Sequence, residues 1–408
     1  MSDWLRSLFA LSLCSFLALP LAARTAPAPA WFRGNTHTHT LWSDGEAAPE
    51  YAADWYKSHG YQFLVLSDHN MFAEGERWKR IGPGRNDMRP ETLKPLLDRF
   101  GKSVELRERG GVQEMRLKTL DQLRAAFEEK DRFIFIKGEE ITDEHAKKPV
   151  HHGAMNHTNL IPPPGGASVR DILERTVRAA QEEEKKSGRP VLLHLNHPNF
   201  GWAVEPDDIA HVAGEHFFEV YNGHRGAWNY GDHRHKSTEQ IWDYVLAMRL
   251  GKLGGAPLYA LATDDTHQYF RDQAVTNPGR GWVMVRAEDL SAEAITRAML
   301  AGDFYASSGV TLEAVTSDQG GMKVRVAAQA EVRYTIRFLG TRTLGDRLGE
   351  IGIVLQESTG PVAAYSFRND ELYVRATVVS SRKHPNGYSP EDFESAWTQP
   401  VVVHRLTK

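Results

Sequence analysis

The chain has 408 residues but only one cysteine, Cys14. It lies in an apolar run near the N-terminus. A lipid-attachment site would need a small residue directly before the cysteine, and Leu13 stands there instead. A chain cleaved behind this run would have no thiol and no disulfide. Any metal that it binds must therefore be held by nitrogen and oxygen ligands.

The chain also lacks an excess of charge of either sign. Its 49 Lys and Arg residues nearly balance 53 Asp and Glu residues, so the formal net charge at pH 7 is -4. Nucleic-acid-binding domains carry a basic surface, and we therefore expect no nucleic acid polymer as a partner. No segment outside the N-terminal region is apolar enough to cross a bilayer. At this length the chain can bury a large core and exceeds one typical domain.

The N-terminal residues have the pattern of a secretory signal peptide. Arg6 precedes an apolar run at residues 8–21, and the small residues Ala22 and Ala23 follow it. A positive residue, a short apolar run and a small-residue cleavage zone form this signal. We expect residues 1–25 to be removed and the mature protein to be secreted or periplasmic, without membrane association. A retained anchor is the alternative.

Six short clusters rich in histidine and acidic residues are the most informative feature of the chain. They read HTHTLWSDG, LVLSDHN, GEEIT, PVHHGAMN, LHLNHPN and ATDDTH, and they span residues 37–267. Imidazole nitrogens and carboxylate oxygens are ligands of zinc, manganese and iron. Most clusters follow or close a short apolar run, and ligands at successive strand ends would converge on one face of a barrel. The sequence therefore predicts a hydrolytic site with several metal ions.

The spacing within the first and last clusters favours shared metal ligation. His37 and His39 are two residues apart, and side chains two apart on a strand point to the same side. Both imidazoles can then reach one metal ion. Asp265 and His267 have the same spacing. Asp44 follows the histidine pair and can bind a metal, move a proton, or bond its own backbone in a turn.

Acidic neighbours leave two assignments open. His69 is a candidate ligand, and Asp68 either orients it or supports it from behind. Glu139 and Glu140 follow an apolar run, and only one of them can point inward from a strand. We expect the other carboxylate to be solvated or salt-bridged.

The two central histidine clusters are also ambiguous. His151 and His157 would share one side of a continuous strand and His152 would face away, but the glycine between them can break that register. His194 and His197 are three residues apart and would face opposite sides. One of these two is therefore expected to be structural.

Apolar runs alternate with helical patterns over residues 31–310. Helices are expected at residues 50–59, 117–127, 168–186 and 238–248. This alternation favours a parallel α/β architecture. The charged, glycine-rich residues 74–116 interrupt it, and we expect an insertion near the mouth of the site, either a lid or a solvated surface excursion.

Residues 311–408 have a different texture. Short β-rich runs lie between turn residues, at residues 323–326, 332–338, 351–355 and 372–379. Residues 331–338 alternate polar and apolar side chains, as a half-buried strand does. The pattern predicts a C-terminal antiparallel β-sandwich domain of about a hundred residues.

In this order, the six clusters resemble the motifs of the PHP (polymerase and histidinol phosphatase) family of metal-dependent phosphoesterases. Family members carry H-x-H followed by S-D-G, then a D-H pair, G-x-E, a mid-chain histidine, H-P and D-x-H. FEVYNG (residues 218–223) and GRGWVMVRA (residues 279–287) are similar to stretches of exported members. The resemblance implies a PHP domain at residues 31–310, folded as a distorted (β/α)7 TIM-like barrel, before the β-sandwich domain.

The resemblance also implies nine metal ligands at three positions. These are His37, His39, Glu140 and Asp265 at the first, the bridging Glu140 with His151 and His197 at the second, and Asp44, His69 and His267 at the third. His151 is chosen because PVHHGAMN resembles a V-H-x-N-A-x-N stretch of family members. Gly153 stands where that stretch has an asparagine, and His157 and His152 remain alternatives. Two or three divalent ions, zinc, manganese or iron, are expected.

These ligands imply a phosphoesterase that uses a metal-bridging hydroxide. Two cations bridged by Glu140 would lower the pKa of a shared water, which then attacks phosphorus. Asp44, His69 and His267 would act in catalysis by supplying a proton or a third cation for the leaving oxygen.

The expected substrate is a small anionic molecule, a phosphate ester. Arg225 and Arg271 follow motif stretches and are candidates for binding it. One alternative is a hydrolase of carboxylic esters, amides or carbamates, because one branch of the family includes carbamate-cleaving enzymes. Another is a non-catalytic binding protein that retains metal.

Overall fold

The computed structural model describes residues 29–85 and 87–405. The predicted signal peptide at residues 1–25, with Cys14, lies outside the described residues. Among the residues that are described, no helix is both long enough and apolar enough to span a membrane.

The described residues contain seven α-helices, α1 Pro49–Ser58, α2 Pro90–Phe100, α3 Leu120–Phe127, α4 Val169–Ser187, α5 Pro206–His211, α6 Thr238–Met248 and α7 Ala292–Leu300. Helices α1, α3, α4 and α6 confirm the four expected helical segments. Local signals set their ends: the side chain of Ser168 caps α4, and Ser237 forms a capping box with Gln240 at the start of α6. Helix α3 begins three residues later than predicted because Thr119 caps it.

The part of the chain up to residue 310 contributes twelve strands, β1 Ala30–Asn35, β2 Phe63–Leu66, β3 Trp78–Arg80, β4 Leu106–Arg109, β5 Val112–Arg116, β6 Ile134–His145, β7 Lys148–Met155, β8 Leu192–Leu195, β9 Phe217–Asn222, β10 Tyr259–Thr263, β11 Trp282–Ala287 and β12 Phe304–Ser307. The later part contributes nine, β13 Leu312–Ser317, β14 Gly321–Val326, β15 Tyr334–Leu344, β16 Arg347–Leu348, β17 Ile353–Thr359, β18 Val362–Ser366, β19 Glu371–Lys383, β20 Phe393–Thr398 and β21 Val401–Val402.

Fifteen strands form one sheet in the order β10-β9-β8-β7-β6-β2-β1-β11-β12-β20-β19-β15-β16, with β17 beside β15 and β21 beside β19. The pairs β1–β2, β2–β6, β8–β9 and β9–β10 are parallel, as predicted. Strand β7 is antiparallel to both β6 and β8, so a wholly parallel arrangement is wrong here. The reason is a two-residue turn at Ala146 and Lys147, both with positive φ, which forces antiparallel pairing.

The fold is therefore mixed α/β with one large sheet. The ladders between the strands described here do not close into a barrel, since the sheet runs from an edge at β10 to an edge at β16. Two backbone hydrogen bonds nevertheless join the segments that follow β1 and β10. Asp265 N donates to His37 O at 3.0 Å, and His39 N donates to Thr266 O at 2.9 Å. The ends of distant strands thereby meet at one place.

Residues 74–116 form an insertion unit made of α2 and the antiparallel sheet β3-β5-β4. Its side chains Met88, Leu96 and Met115 are buried in one hydrophobic cluster with Leu41 and Trp42 of the segment after β1. Most other described residues of the unit are exposed or half-buried. The unit is therefore a surface insertion that a small apolar core joins to the earlier part of the chain.

The residues after β12 extend the large sheet with antiparallel strands, since β12 pairs with β20 and β20 with β19. A separate sheet, β13-β14-β18, packs against these strands, and Val324 and Phe338 from the two sheets lie in one hydrophobic cluster. The buried Arg375 of β19 bonds Asp243 of α6 through both carboxylate oxygens, at 2.8 and 2.7 Å. The later strands are thus joined firmly to the earlier part of the chain.

Candidate metal centre

The candidate metal centre lies where β6 and β7 pair and where the chain leaves β1, β2, β8 and β10. His37 and His39 follow β1, Glu140 lies within β6, and Asp265 follows β10. The backbone is strained at Asp265, where φ is 49°, and at His197 after β8, where φ is 25°. Residues other than glycine rarely adopt such values, and the strain is typical of functional sites.

The structure brings all nine predicted metal ligands together. Their donor atoms lie within 4.8 Å of one another in four overlapping groups, which are His37, His39 and Glu140; His37, His197 and Asp265; Glu140, His151 and His197; and His39, Asp44, His69 and His267. Residues separated by up to 230 positions therefore meet in one cluster, which we call the donor cluster.

The donors of the first predicted position are spaced like ligands of a single ion. His37 Nε2 lies 3.1 Å from His39 Nε2, and both nitrogens lie 3.2 Å from Asp265 Oδ1. Glu140 oxygens lie 3.3 and 3.4 Å from the same two nitrogens. Four donors at ~2.1 Å from a tetrahedral ion stand about 3.4 Å apart. Two buried imidazole nitrogens this close need a proton or a cation between them, so the residues fit a divalent metal.

Glu140 connects the groups. Its Oε1 lies 3.2 Å from His151 Nδ1 and 3.4 Å from His197 Nε2. Its Oε2 lies 3.4 Å from His39 Nε2 and 2.7 Å from His69 Nδ1. A carboxylate whose two oxygens face different imidazoles has the placement of a ligand that bridges two ions.

Asp44, His69 and His267 form a third group on the open side of the cluster. Asp44 Oδ1 lies 3.3 Å from His267 Nε2, 3.5 Å from His69 Nε2 and 3.8 Å from His39 Nδ1. The rings of His39 and His267 stack with their centroids 4.1 Å apart. Because the side chain of Asp44 is 47% exposed, this group is in contact with solvent.

Glu219 and Asn196, to which the sequence analysis gave no role, support the donors. His37 Nδ1 donates to Glu219 Oε1 at 2.7 Å, and His197 N donates to Glu219 Oε2 at 2.7 Å. This contact fixes the His37 tautomer and turns Nε2 toward the donor cluster. Asn196 Nδ2 donates to Glu140 Oε1 at 2.8 Å. Glu219 lies in the FEVYNG motif, which was the available signal.

Asp68 organises the turn that carries Asp44. Its Oδ1 accepts hydrogen bonds from Thr40 N at 2.9 Å and from Ser43 N at 3.0 Å. Ser43 Oγ donates to the same oxygen at 2.6 Å. The carboxylate therefore acts on the S-D-G segment, whereas the prediction was that it orients His69 or supports that residue from behind.

Glu139 points away from the donor cluster and is fully buried. Its Oε1 accepts a hydrogen bond from Ile161 N at 2.7 Å, and burial raises its pKa to about 7. Of the two expectations for the neighbour of Glu140, solvation is wrong, and the ion-pair alternative has only a long contact, 3.8 Å between Glu139 Oε1 and His157 Nδ1. A buried carboxyl with a pKa this high is partly protonated at neutral pH. The protonated form is neutral and needs no cation beside it.

The three histidines of the PVHHGAMNH stretch have different surroundings. His151 faces Glu140, whereas His152 Nε2 lies 2.8 Å from Glu215 Oε2, on the other side of the strand. His157 lies beyond the end of β7 and donates from Nδ1 to the Asn159 carbonyl at 2.9 Å. Among these three, only His151 belongs to a donor group of the described residues.

His194 is buried outside the donor groups, whereas His197 lies within them. A Cβ atom added to Gly153 would stand 2.3 Å from the His194 ring. The absence of a side chain at Gly153 therefore makes room for the His194 ring.

Burial and neighbouring charge shift the pKa values of the donors in opposite directions. For His37, burial disfavours the charged form, but nearby carboxylates led by Asp265 outweigh it and raise the pKa well above its usual value. For His39, burial and the adjacent imidazole of His267 lower the pKa to about 3. For Glu140, burial is outweighed by the surrounding imidazoles, and the pKa is held well below its usual value. An anionic Glu140 and a neutral His39 are the forms that bind metal.

The donor cluster forms the floor of a cavity of about 780 Å³. Of the two arginines proposed to bind substrate, Arg271 lines this cavity and Arg225 does not. Arg225 instead donates to Gln273 O at 2.9 Å and to Gln273 Oε1 at 2.8 Å. Phe200 and His224, which the sequence analysis did not single out, also line the cavity.

No family model and no curated protein matches this chain. Two solved structures are similar to it. A two-domain protein from Bacteroides vulgatus, containing a predicted PHP-like metal-dependent phosphoesterase, is 15% identical with a TM-score of 0.40, and the match covers 91% of this chain and 95% of that one. A protein from Bifidobacterium adolescentis, provisionally described as a metal-dependent phosphoesterase, is 11% identical with a TM-score of 0.28, covering 60% of this chain and 92% of that one. Similarity at this level carries no functional argument.

Proposed function

We propose that the protein is a metal-dependent hydrolase, a phosphoesterase of the PHP type that acts on a small anionic phosphate ester. One observation carries the proposal. The buried carboxylate of Glu140 lies within 3.4 Å of five imidazole nitrogens, contributed by four other segments of the chain. Such a set of donors around one carboxylate suits two or more divalent ions.

Two or three zinc, manganese or iron ions, held by the nine donors, would supply Lewis-acid activation of water and of the phosphoryl oxygens. The remaining residues position these donors and move protons. Glu219 keeps His37 in the tautomer that presents Nε2. Asn196 orients the Glu140 carboxylate.

The group around Asp44 is placed to protonate the leaving oxygen. Burial disfavours the charged form of His69, but Glu140 and Asp44 outweigh it and raise the pKa of His69 to about 11. The pKa of His267 is also raised, since Asp44 and Asp265 outweigh its burial. When no ion occupies this group, Asp44 would still favour a protonated imidazole at the cavity, and that imidazole would act as a general acid for the leaving oxygen.

We also propose the domain architecture and the cellular location of the protein that the sequence predicts. Residues 31–310 would form a distorted (β/α)7 barrel and residues 311–408 a β-sandwich. The first is supported by donors at the ends of several strands, and the second by the hydrophobic cluster that two antiparallel sheets share. The N-terminal charge and hydropathy pattern supports a cleaved signal peptide and a secreted or periplasmic location.

A metal analysis combined with a substrate panel tests the proposed activity. Protein purified without chelator should contain about two or three divalent ions per chain by mass spectrometry of its metals. It should hydrolyse 4-nitrophenyl phosphate or its diester, lose this activity with chelator, and regain it with manganese or zinc. Hydrolysis of carboxylic esters or carbamates without any phosphate ester would contradict the proposal, and so would bound metal without turnover.

A further inference from the structure

The cavity above the donor cluster is larger than a phosphoryl group requires. Its volume of about 780 Å³ falls in the range of roughly 300–1,000 Å³ that is typical of pockets for whole small molecules. Its floor is buried, since His37, Glu140 and Asp265 are almost inaccessible. The mouth is formed by other, exposed side chains, which must contact the part of a substrate beyond its reacting phosphorus.

Two segments of the chain contribute cationic side chains to this mouth. Lys79 of β3 and Arg85 and Arg89, which precede α2, line the cavity from the insertion unit. Arg271 lines it from the segment between β10 and β11. All three arginines are exposed, and Lys79 is 7% exposed. The three guanidinium groups therefore lie in the exposed part of the lining, apart from the buried donors.

The insertion unit holds Lys79 and the backbone beside Arg89 in place. Lys79 Nζ donates to the carbonyl oxygen of Ser43, next to Asp44, at 3.1 Å. Met88, which lies between the two arginines, is buried, and its backbone bonds Arg80 O at 2.9 Å and Gly82 N at 3.0 Å. The backbone around Met88, next to Arg89, is therefore ordered before a ligand binds.

Acidic side chains also line the cavity. Asp87 Oδ2 accepts a hydrogen bond from Gly84 N at 3.1 Å. Glu46 Oε1 accepts from Tyr269 N at 2.7 Å and from Phe270 N at 3.1 Å. Glu91 lies in the first turn of α2, where the helix dipole favours a negative charge. Among the described residues, none of these carboxylates forms an ion pair with Arg85, Arg89 or Arg271, so the guanidinium groups are open to a ligand.

We propose that the mouth is a second anion subsite, in which Arg85 and Arg89, together with Arg271 of the other lining segment, bind an anionic group in the leaving part of the substrate. The inference rests on the proposed phosphoesterase function and narrows its substrate class. The preferred substrate is a phosphate ester that carries a further phosphate or carboxylate, while its reacting phosphoryl group lies at the donor cluster. Guanidinium groups suit this role because they bind carboxylate or phosphate through two parallel hydrogen bonds.

A pair of esters that differ by one carboxylate tests the subsite. The manganese-loaded protein should hydrolyse 4-carboxyphenyl phosphate with a kcat/KM about tenfold higher than that for phenyl phosphate, as one charge-assisted contact can provide. In the double variant Arg85→Gln, Arg89→Gln this ratio should fall to near one. The single variant Arg271→Gln, in the other lining segment, should also lower this ratio. Raising the salt concentration should weaken the preference of the unaltered protein.

Arg80→Gln is the matched control, since Arg80 is an exposed arginine of the same unit that does not line the cavity. This variant should keep the full preference. A double variant that loses activity equally on both esters, or that keeps the preference, would overturn the subsite.

Binding of phenylphosphonate and 4-carboxyphenylphosphonate, measured by calorimetry, separates the two proposals. If no phosphate ester is hydrolysed but the carboxylate still strengthens binding through Arg85 and Arg89, the proposed function is wrong and the subsite is supported. If both esters are hydrolysed and neither turnover nor phosphonate binding depends on the arginines, the function stands and the subsite is wrong.

Discussion

Glu139 and Glu140 are adjacent carboxylates with opposite surroundings. Side chains alternate across strand β6, so Glu140 reaches the donor cluster while Glu139 accepts a hydrogen bond from Ile161 N. Imidazoles overcome burial and hold the pKa of Glu140 low, whereas burial raises the pKa of Glu139 to about 7. The same residue type is thus an anion at one position and a partly protonated acid at the next.

Glu140→Gln should lower kcat at least a hundredfold and reduce the metal content, because it removes the charge shared by the donor groups; the loss should exceed the 10- to 100-fold effect of changing a supporting residue. Glu139→Gln is the matched control, because glutamine resembles the protonated acid and keeps an acceptor for Ile161 N. Its activity and metal content should remain within about twofold of the unaltered protein. Equal losses in both variants would show that the assigned orientation of β6 is wrong.

Glu50 is a buried carboxylate far from the metal chemistry. It is 3% exposed in the first turn of α1, and apart from its own backbone amide its oxygens have no hydrogen-bond partner among the described residues. Burial raises its pKa from 4.5 to about 7. The folded state therefore favours the protonated form. This contribution to stability is fully present below the unfolded pKa of 4.5 and is lost as the pH rises through 7.

Glu50→Gln should remove this loss. Between pH 5 and pH 8 the free energy of unfolding of the unaltered protein should fall by about 2.5 kcal/mol more than that of the variant, since one pKa unit corresponds to about 1.4 kcal/mol. Urea unfolding at the two pH values measures the difference. Identical pH dependence of the two proteins would contradict the raised pKa.

At the scale of elements, the segment between β10 and β11 carries Asp265 and His267 and is held by Arg280. The guanidinium of Arg280 is buried and donates, at 2.6–2.9 Å, to the carbonyl oxygens of Gly223, Ala274, Val275 and Asn386. Asn386 belongs to the C-terminal strands and loops. One side chain therefore ties the segments after β9 and β10 to the C-terminal part of the chain.

Arg280→Lys should destabilise the protein by about 2 kcal/mol and loosen this segment, because an ammonium has three donors and cannot reproduce the guanidinium fork. The thermal midpoint should fall, and limited chymotrypsin digestion should cut within residues 268–280 sooner. Arg286→Lys serves as the control, since Arg286 is a partly exposed partner of Asp303. If both variants shift the midpoint equally, the guanidinium of Arg280 has no special role.

At the scale of the whole molecule, the C-terminal part completes structure that the earlier part leaves open. Strand β10 is a sheet edge, and the Gln399 side chain donates to Ala260 O and accepts from Ala260 N, both at 2.9 Å. This amide replaces a neighbouring strand at that point. The buried Asp243 likewise depends on Arg375 of β19.

A fragment ending at residue 310 should therefore fail to fold. Removing Arg375 alone leaves a buried charge without its partner, which costs about 3–5 kcal/mol, a large part of the roughly 5–15 kcal/mol that stabilises a typical protein. Residues 29–310 should give little soluble protein and no cooperative unfolding by circular dichroism, whereas residues 29–408 should give both. A soluble, cooperatively folded fragment would support two independent domains.

The sequence by itself determined the local features of this protein. Helices α1, α4 and α6 follow from apolar spacing and capping residues such as Ser237, which act over a few positions. The chemistry of the site follows from the types of its donors, because imidazole and carboxylate suit the same few metals wherever they lie. Close spacing was sufficient to predict shared metal ligation where both ligands lie in one segment, as His37 and His39 do.

Only the tertiary structure decided which distant groups meet. Glu219 bonds His37 across 182 positions, and Gly153 accommodates the His194 ring from another strand. The antiparallel β7 and the buried side chains of the insertion unit likewise depend on packing between segments. Contacts of this kind are selected by the shape and charge of the assembled core, which no periodicity along the chain encodes.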